Sequence, residues 1–177
     1  MNPASRKTHI AGSVLIGIGA NLSHPVYGAA LETCKAALDQ LENADVRVAA
    51  RSRFFRSAPV PMSDQPWFIN AVAEIKTSLD PQSLLAVLHE IEERFGRVRH
   101  KKNEARVLDL DLLTYGDITS EETSGLTLPH PRLHERAFVL LPIRDLNAQW
   151  RHPVDGRSID ALIAQLAQDQ AIEPLDG

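Results

Sequence analysis

The segment from Val107 to Tyr115 alternates apolar residues with other side chains, which is the period of a β-strand that buries one face. The buried face would carry three leucines, namely Leu108, Leu110 and Leu112. The opposite face would carry two aspartates, Asp109 and Asp111. Any fold of this chain must therefore cover one face of this strand. It must also give the carboxylates on the other face either solvent or a positively charged partner.

Asp109 and Asp111 would lie side by side, with Cα atoms roughly 6.5–7 Å apart along the strand. Like charges at this spacing are costly unless something positive lies between them, and a divalent metal ion meets that need. The alternative is an amphipathic edge strand with a solvated acidic face. Because aspartate is depleted in strands, the metal site is the favoured interpretation.

A basic segment precedes the acidic strand. Six lysines or arginines fall between Arg94 and Arg106, in a chain whose formal net charge is −4. Phosphoryl transfer uses this combination, because oxygen ligands hold Mg²⁺ while Arg and Lys neutralise the remaining phosphate oxygens. A solvated loop or an RNA-binding patch would also be basic. Nucleic acid is disfavoured because the chain has no aromatic-rich strand for stacking bases and a pI near 6.0.

Hydrophobic periodicity predicts a mixed order of strands and helices. Strands are expected at 14–19, 46–55, 67–76 and 107–115, and helices at 25–41, 81–95, 135–146 and 158–168. Asp80 is expected to cap the second helix, with Pro81 in its first turn and Gly96 at its end. The order β-α-β-β-α-β, followed by helices, predicts an α+β, ferredoxin-like split βαβ fold with a mostly antiparallel sheet.

Composition limits the class of protein. Residues 1–12 are expected to be a disordered extension and residues 13–177 a single domain. The lone Cys34 excludes an intramolecular disulfide and a cysteine-based zinc site. The sequence has neither a secretion signal nor a membrane span, so a cytoplasmic enzyme without nucleic-acid or membrane partners is expected. A Rossmann interpretation of Gly17-Ile-Gly19 fails because the third glycine of that fingerprint is missing.

Several motifs occur together in a fixed order. They are Ile16-Gly-Ile-Gly-Ala-Asn-Leu22, Ser57-Ala-Pro-Val60, Asp64-Gln-Pro-Trp-Phe-Ile-Asn-Ala71, Gly96-Arg-Val-Arg99, Arg106-Val-Leu-Asp-Leu-Asp-Leu-Leu113 and Leu128-Pro-His-Pro-Arg-Leu-His-Glu-Arg-Ala-Phe138. In this combination the chain resembles 6-hydroxymethyl-7,8-dihydropterin pyrophosphokinase. That folate-pathway enzyme transfers a pyrophosphoryl group from ATP to a pterin alcohol and releases AMP.

The resemblance implies a monomeric enzyme that binds ATP and 6-hydroxymethyl-7,8-dihydropterin, with two Mg²⁺ ions held by Asp109 and Asp111. It implies catalytic roles for Arg97, Arg99, Arg106, Asp109 and Asp111. It places the pterin at Ala58, Val60, Phe68, Asn70 and Phe138. It places ATP at Glu92, Arg99, Lys102, Arg106, His130 and Arg136, with Lys101 as an alternative to Lys102.

The pterin assignment has a chemical basis, since an Asn amide offers both a donor and an acceptor to an aminopyrimidinone edge. Asn70 satisfied by its neighbours and Phe138 in a helix core are the alternative interpretations. Gly19 and Asn21 are expected to shape the turn beside this pocket. His130 and His134 have the spacing of a zinc helix, but Pro131 interrupts the helix such a pair needs.

The chain departs from the best-known members of that family just before the acidic strand. They have Arg-Trp-Gly-Pro-Arg where this chain has Lys102-Asn-Glu-Ala-Arg106, and the loop from Arg97 is shorter by one residue here. Asn103 cannot replace the stacking of that Trp, and Glu104 adds negative charge. Two rival classes remain open at this point, a ligand-sensing ferredoxin-like module and a nucleotidyl- or glycosyltransferase with an Asp-x-Asp metal site.

Overall fold

The computed structural model describes residues 12–42, 45–97, 105–120 and 125–175. The strands in these ranges are β1 (Val14–Ala20), β2 (Val46–Arg51), β3 (Phe55–Ser57), β4 (Phe68–Thr77), β5 (Asp109–Tyr115) and β6 (Ile172–Pro174). The α-helices are α1 (Ala30–Glu42), α2 (Pro81–Arg94), α3 (Ala137–Leu146) and α4 (Ile159–Ile163), and a 3₁₀ turn spans Leu133–Glu135. Basic-segment residues 98–104 and most of the predicted N-terminal extension lie outside the described ranges.

The strands form one antiparallel sheet in the order β5-β1-β4-β3-β6, and β2 pairs with the part of β4 that β3 leaves free. The prediction of an α+β fold with a mostly antiparallel sheet is confirmed. Helices α1 and α2 pack on one face of this sheet through a core that includes Ile16, Leu88 and Leu110. Helices α3 and α4 pack on the other face through a core that includes Leu15 and Leu140.

The predicted strand over 46–55 is wrong in its continuity, because β2 ends at Arg51 and β3 begins at Phe55. The interruption coincides with a tertiary contact between Arg53 and α3. The Arg53 backbone N–H donates to Asp145 Oδ2 at 2.7 Å, and its Nε donates to Oδ1 at 2.9 Å. Ser52 keeps contact with β4 because its Oγ accepts the Val72 N–H at 3.0 Å. Arg53 thus leaves the sheet ladder to bind the end of α3.

The boundaries of α2 are those the sequence predicts. Asp80 Oδ1 accepts the Ser83 N–H at 2.9 Å, Pro81 opens the helix, and Gly96 follows with φ +77°. A left-handed backbone of this kind favours glycine and ends the helix.

Three other helix predictions are corrected. Helix α1 starts at Ala30 and not at Pro25, because residues 24–28 close a turn in which His24 and Gly28 exchange backbone hydrogen bonds of 2.7 and 2.9 Å. Helix α3 begins at Ala137 and not at Glu135, because the 3₁₀ turn precedes it. Helix α4 begins after its Ser158 cap as predicted, but it ends at Ile163 and not at Gln168. Strand β6 lacks an alternating pattern and was not predicted. No helix in the described ranges is long and apolar enough to cross a membrane.

The acidic strand β5 is the best-predicted element. The strand begins at Asp109 and not at Val107 as predicted. Leu110 and Leu112 on its buried face, and Leu108 just before it, are 0–3% exposed and belong to the α1/α2 core, as expected. A register shift opposite Leu15 and Ile16 places Leu113 in the other core. Asp109 and Asp111 therefore face the α3 side of the sheet.

Candidate active site

The floor of the site lies on the face of the sheet that packs against α3, at the end of β1. Two rows of residues cross three adjacent strands there. Gly19 of β1 is directly opposite Asn70 on one side and Asp109 on the other, and Gly17 is opposite Val72 and Asp111. A Cβ at Gly19 would lie 3.1 Å from Asn70 Oδ1, so glycine keeps the amide and carboxylate accessible across a flat floor.

A cavity of about 220 Å³ lies over this floor. One wall is the loop after β3 and the start of β4, and the other is the start of α3. All five residues that the sequence assigned to the pterin line it: Ala58, Val60, Phe68, Asn70 and Phe138. Gly19, Arg106 and Asp109 also line it, so the apolar and charged parts of the predicted site are continuous.

The orientation of the Asn70 side chain is determined by Ser57. Asn70 Nδ2 donates to Ser57 Oγ at 2.8 Å, and the two residues are 6% and 4% exposed. Because one amide hydrogen is used in this way, the carbonyl oxygen lies toward Gly19 at the cavity floor. Ser57 also lines the cavity, and the sequence interpretation gave it no role although it begins one of the recognised motifs.

Asp109 is neutralised by two arginines. Its Oδ1 lies 2.6 Å from Arg97 Nη1, and its Oδ2 forms a short ion pair with Arg106 Nη1. Oδ1 is buried and has no hydrogen bond of regular geometry among the described residues, so its contact with Arg97 is electrostatic. The predicted residues Arg97, Arg106 and Asp109 are therefore in direct contact.

Glu92 lies behind the strand and does not line the cavity wall. It is 1% exposed, accepts the Leu110 N–H at 2.7 Å, and pairs with Arg97. Arg97 is thus bound by carboxylates from both α2 and β5. The sequence interpretation assigned Glu92 to ATP, whereas the structure places it behind β5, where it orients that strand and Arg97.

Asp111 has no ion pair or hydrogen bond with another described side chain. Burial, followed by the charge of Asp109, raises the pKa of the Asp111 carboxyl to about 7. Arg136 and Arg106 act in the opposite direction without offsetting these effects. Asp111 is therefore a carboxyl whose negative charge the surrounding residues do not stabilise.

This carboxylate pair fits a Mg²⁺ site in its chemistry. Mg²⁺ is usually bound by one or two protein carboxylates, with waters and substrate phosphates completing an octahedron. Two carboxylates here have this character. One oxygen of Asp109 is buried without a regular hydrogen bond, and Asp111 has no ion pair with another described side chain. Within the described residues no cluster of three or more His, Cys, Asp or Glu side chains could form a complete protein cage.

A cationic rim lies on the α3 side of the cavity. Burial and the neighbouring charge of Arg132 lower the pKa of Arg136, which lines the cavity at the start of α3. His130 Nδ1 accepts the Arg132 N–H at 3.1 Å, so in neutral His130 the hydrogen is on Nε2. Burial and then Arg136 lower the pKa of His130 to about 4, so this histidine is neutral at pH 7.

Arg132 and Glu135 also line the cavity and were not among the predicted site residues. Both residues belong to the sequence motif that ends at Phe138, and that membership is the feature of the sequence that could have identified them. Predicted residues Arg99, Lys101 and Lys102, together with Asn103 and Glu104 of the divergent loop, lie outside the described ranges.

Comparison with known proteins identifies relatives of this chain. The sequence model of the family described as 7,8-dihydro-6-hydroxymethylpterin-pyrophosphokinase (HPPK) matches residues 15–148. A 2-amino-4-hydroxy-6-hydroxymethyldihydropteridine pyrophosphokinase of Pseudomonas aeruginosa is 39% identical over 165 residues, which cover 93% of this chain and 97% of that protein. A folic acid synthesis protein of Pneumocystis carinii is 36% identical over 92% of this chain, which spans only 21% of that longer protein.

Solved structures with the same fold include the wild-type HPPK-DHPS of Plasmodium falciparum. The TM-score is 0.65 at 15% identity, and the match covers 86% of this chain and 43% of that one. At this identity the likeness concerns the fold alone. On the match over residues 15–148 and the near full-length bacterial relative, the chain belongs to the 7,8-dihydro-6-hydroxymethylpterin-pyrophosphokinase family.

Proposed function

We propose that this protein transfers the pyrophosphoryl group of ATP to 6-hydroxymethyl-7,8-dihydropterin in folate biosynthesis, releasing AMP and the pterin diphosphate. Family membership supports the reaction class. The observation that carries the assignment is the row Asn70, Gly19 and Asp109, which puts a hydrogen-bonding amide and a metal-type carboxylate on one flat floor. A planar ring and a polyphosphate can therefore lie end to end on adjacent strands.

The apolar half of the cavity binds the pterin. Phe68 and Phe138 offer ring faces for stacking, at walls on either side of Asn70. Asn70, oriented by Ser57, reads the polar edge of the pterin, and backbone groups of Ala58 and Val60 complete the contacts. The hydroxymethyl group then points toward Asp109.

The carboxylate half is the proposed metal site. Asp109 and Asp111 would supply oxygen ligands to two Mg²⁺ ions. When bound, Mg²⁺ would neutralise phosphate oxygens and favour the attacking alcohol as a nucleophile. Burial and the charge of Asp109 raise the pKa of Asp111, and a bound cation would lower it.

The cationic residues hold the phosphates. Arg106 and Arg136 line the cavity next to Asp109. His130 does not line the cavity, but it lies close enough to Arg136 and Asp109 for their charges to affect its pKa, and its Nε2–H is a neutral donor. Arg97 reaches the same place from the end of α2, where Glu92 orients it. By family likeness Arg99 and Lys102 add further positive charge, and the loop that carries them closes over the nucleotide.

In the reaction the pterin hydroxyl oxygen attacks the β-phosphorus of ATP in line with the departing AMP oxygen. The residues contribute mainly by positioning both substrates and by stabilising charge on the transferred group. His130 is neutral at pH 7 and so donates a hydrogen bond without supplying a proton.

The test is direct. Purified protein is incubated with ATP, Mg²⁺ and 6-hydroxymethyl-7,8-dihydropterin, and products are separated by chromatography. We expect AMP and pterin diphosphate in equal amounts, with neither formed when EDTA replaces Mg²⁺. Release of ADP or inorganic phosphate without a pterin product would contradict the assignment, as would nucleotidyl transfer to the pterin.

A further inference from the structure

Asn21 follows β1 at the edge of the site and is 5% exposed. It does not line the cavity, yet its hydrogen bonds reach two segments that do. One contains Gln65, which lies 44 residues away in sequence, and the other contains Arg106, which lies 85 residues away. One buried side chain therefore joins the ends of three strands.

On one side Asn21 holds the backbone of Arg106 at both of its polar groups. The Arg106 N–H donates to Asn21 Oδ1 at 2.7 Å. The Arg106 carbonyl accepts from the backbone N–H groups of Asn21 and Leu22, at 2.9 and 3.1 Å. Because the Arg106 guanidinium pairs with Asp109, this contact fixes the starting point of a side chain at the carboxylate site.

On the other side Asn21 holds the loop that leads into β4. Its Nδ2 donates to the Pro66 carbonyl at 3.0 Å and to Gln65 Oε1 at 3.3 Å. An amide nitrogen has two hydrogens, so both are used. Gln65 lines the cavity, and Phe68, two residues after Pro66, forms part of the ring-binding wall.

We infer that Asn21 is a positioning residue that ties the ring-binding wall to the arginine beside the carboxylates, so that one amide determines the geometry of both halves of the site. The inference rests on the proposed function, because it concerns how the pterin and phosphate ends are aligned. Only an Asn-sized amide offers one acceptor to Arg106 and two donors to the loop at this place.

Substitutions at Asn21 can distinguish its contacts with the loop before β4 from its contact with Arg106. In Asn21→Asp the acceptor for the Arg106 N–H remains, but a carboxylate oxygen now faces the Pro66 carbonyl and Gln65 Oε1. We expect the KM for the pterin to rise about 10–100-fold while kcat and the KM for ATP change less than about 3-fold. Asn21→Ala removes the side-chain bonds to the loop and to the Arg106 N–H and leaves only the backbone bonds to the Arg106 carbonyl, so kcat should fall by roughly a further tenfold or more.

Asn147→Ala is the matched control. Asn147 is an exposed asparagine whose Oδ1 accepts the Gln149 N–H at 2.9 Å just beyond α3. This variant should show unchanged kinetics, and urea midpoints of all variants report the cost to the fold. Equal changes in the constants for both substrates in Asn21→Asp, or wild-type kinetics in folded Asn21→Ala, would overturn the inference.

A measurement on the unaltered protein covers the case in which the variants do not fold. In a ¹H–¹⁵N spectrum the Asn21 side-chain NH₂ signal should shift on addition of the pterin alone and also on addition of Mg²⁺ with a non-hydrolysable ATP analogue. A signal that moves with neither ligand would refute the link. Absence of any pterin diphosphate from wild-type protein would instead refute the proposed function.

Discussion

Replacing Asp111 by Asn should stabilise the metal-free protein while abolishing its activity. The pKa of the Asp111 carboxyl is about 7 in the folded protein, against an ordinary value of 3.8. Since each pKa unit corresponds to about 1.4 kcal/mol, ionising this carboxyl in the folded protein costs about 4 kcal/mol more than in the unfolded chain. Asparagine has the same shape and does not incur this cost.

The sign of the pH dependence follows from proton uptake. Between pH 3.8 and about 7 the unfolded chain has lost this proton while the folded protein retains it, so stability falls as pH rises through this window and is level above it. At about pH 5.5 the wild type has lost about 2 kcal/mol through this group, and at about pH 8 about 4 kcal/mol. The advantage of Asp111→Asn should therefore grow by about 2 kcal/mol between these two pH values.

Urea unfolding of wild type and Asp111→Asn in EDTA, at both pH values, measures this difference. Adding Mg²⁺ with an ATP analogue should restore stability to the wild type at the higher pH and do little for the variant. Asp109→Asn is the matched control, because it leaves Arg97 and Arg106 without their shared carboxylate and should destabilise at both pH values. A stability difference between wild type and Asp111→Asn that is independent of pH, or a destabilised variant at pH 8, would refute the reasoning.

Three further predictions concern ligands. Asn70→Ala should weaken pterin binding by roughly 1–3 kcal/mol and leave ATP affinity nearly unchanged, and equal losses in calorimetry would make Asn70 a purely structural residue. Asp109→Ala should lose turnover by several orders of magnitude while keeping its circular dichroism spectrum, and near wild-type turnover at saturating Mg²⁺ would contradict the metal assignment. Turnover should fall with ionic strength, as the Debye length shortens to about 3 Å near 1 M salt. Arg99→Ala should lower turnover at low salt and make it less dependent on salt, because one ionic contact is gone, whereas Glu104→Gln should keep or improve ATP affinity. Insensitivity to salt together with a silent Arg99→Ala would show that the basic segment is only a solvated surface.

Features with a short sequence period could be predicted from the chain alone. The faces of β5 follow from its two-residue alternation, and the bounds of α2 follow from Asp80, Pro81 and Gly96, because these effects act within one turn or strand. The proposed pterin wall was predicted through motif likeness, since no local pattern reports that Phe68 and Phe138 line the same cavity.

Features that depend on distant contacts could not be predicted in this way. The break between β2 and β3 needs Asp145, which lies 92 residues beyond Arg53. The inward position of Glu92 depends on the Leu110 N–H of a neighbouring strand. The orientation of Asn70 depends on Ser57, whose hydroxyl has no sequence pattern of its own. Each of these is a contact between elements whose relative placement the tertiary fold decides.

The contact between Arg53 and Asp145 helps to set the width of the cavity between the β3 loop and α3. Asp145 is near the end of α3, the helix that carries Phe138, and Arg53 lies two residues before β3, the strand that carries Ser57. The two walls of the cavity are therefore linked by a contact outside it, between residues that do not line the proposed pterin site. A substitution at Asp145 would alter the distance between the two walls, between which the pterin ring is proposed to bind. Affinity for the pterin can therefore differ between relatives that have the same cavity-lining residues.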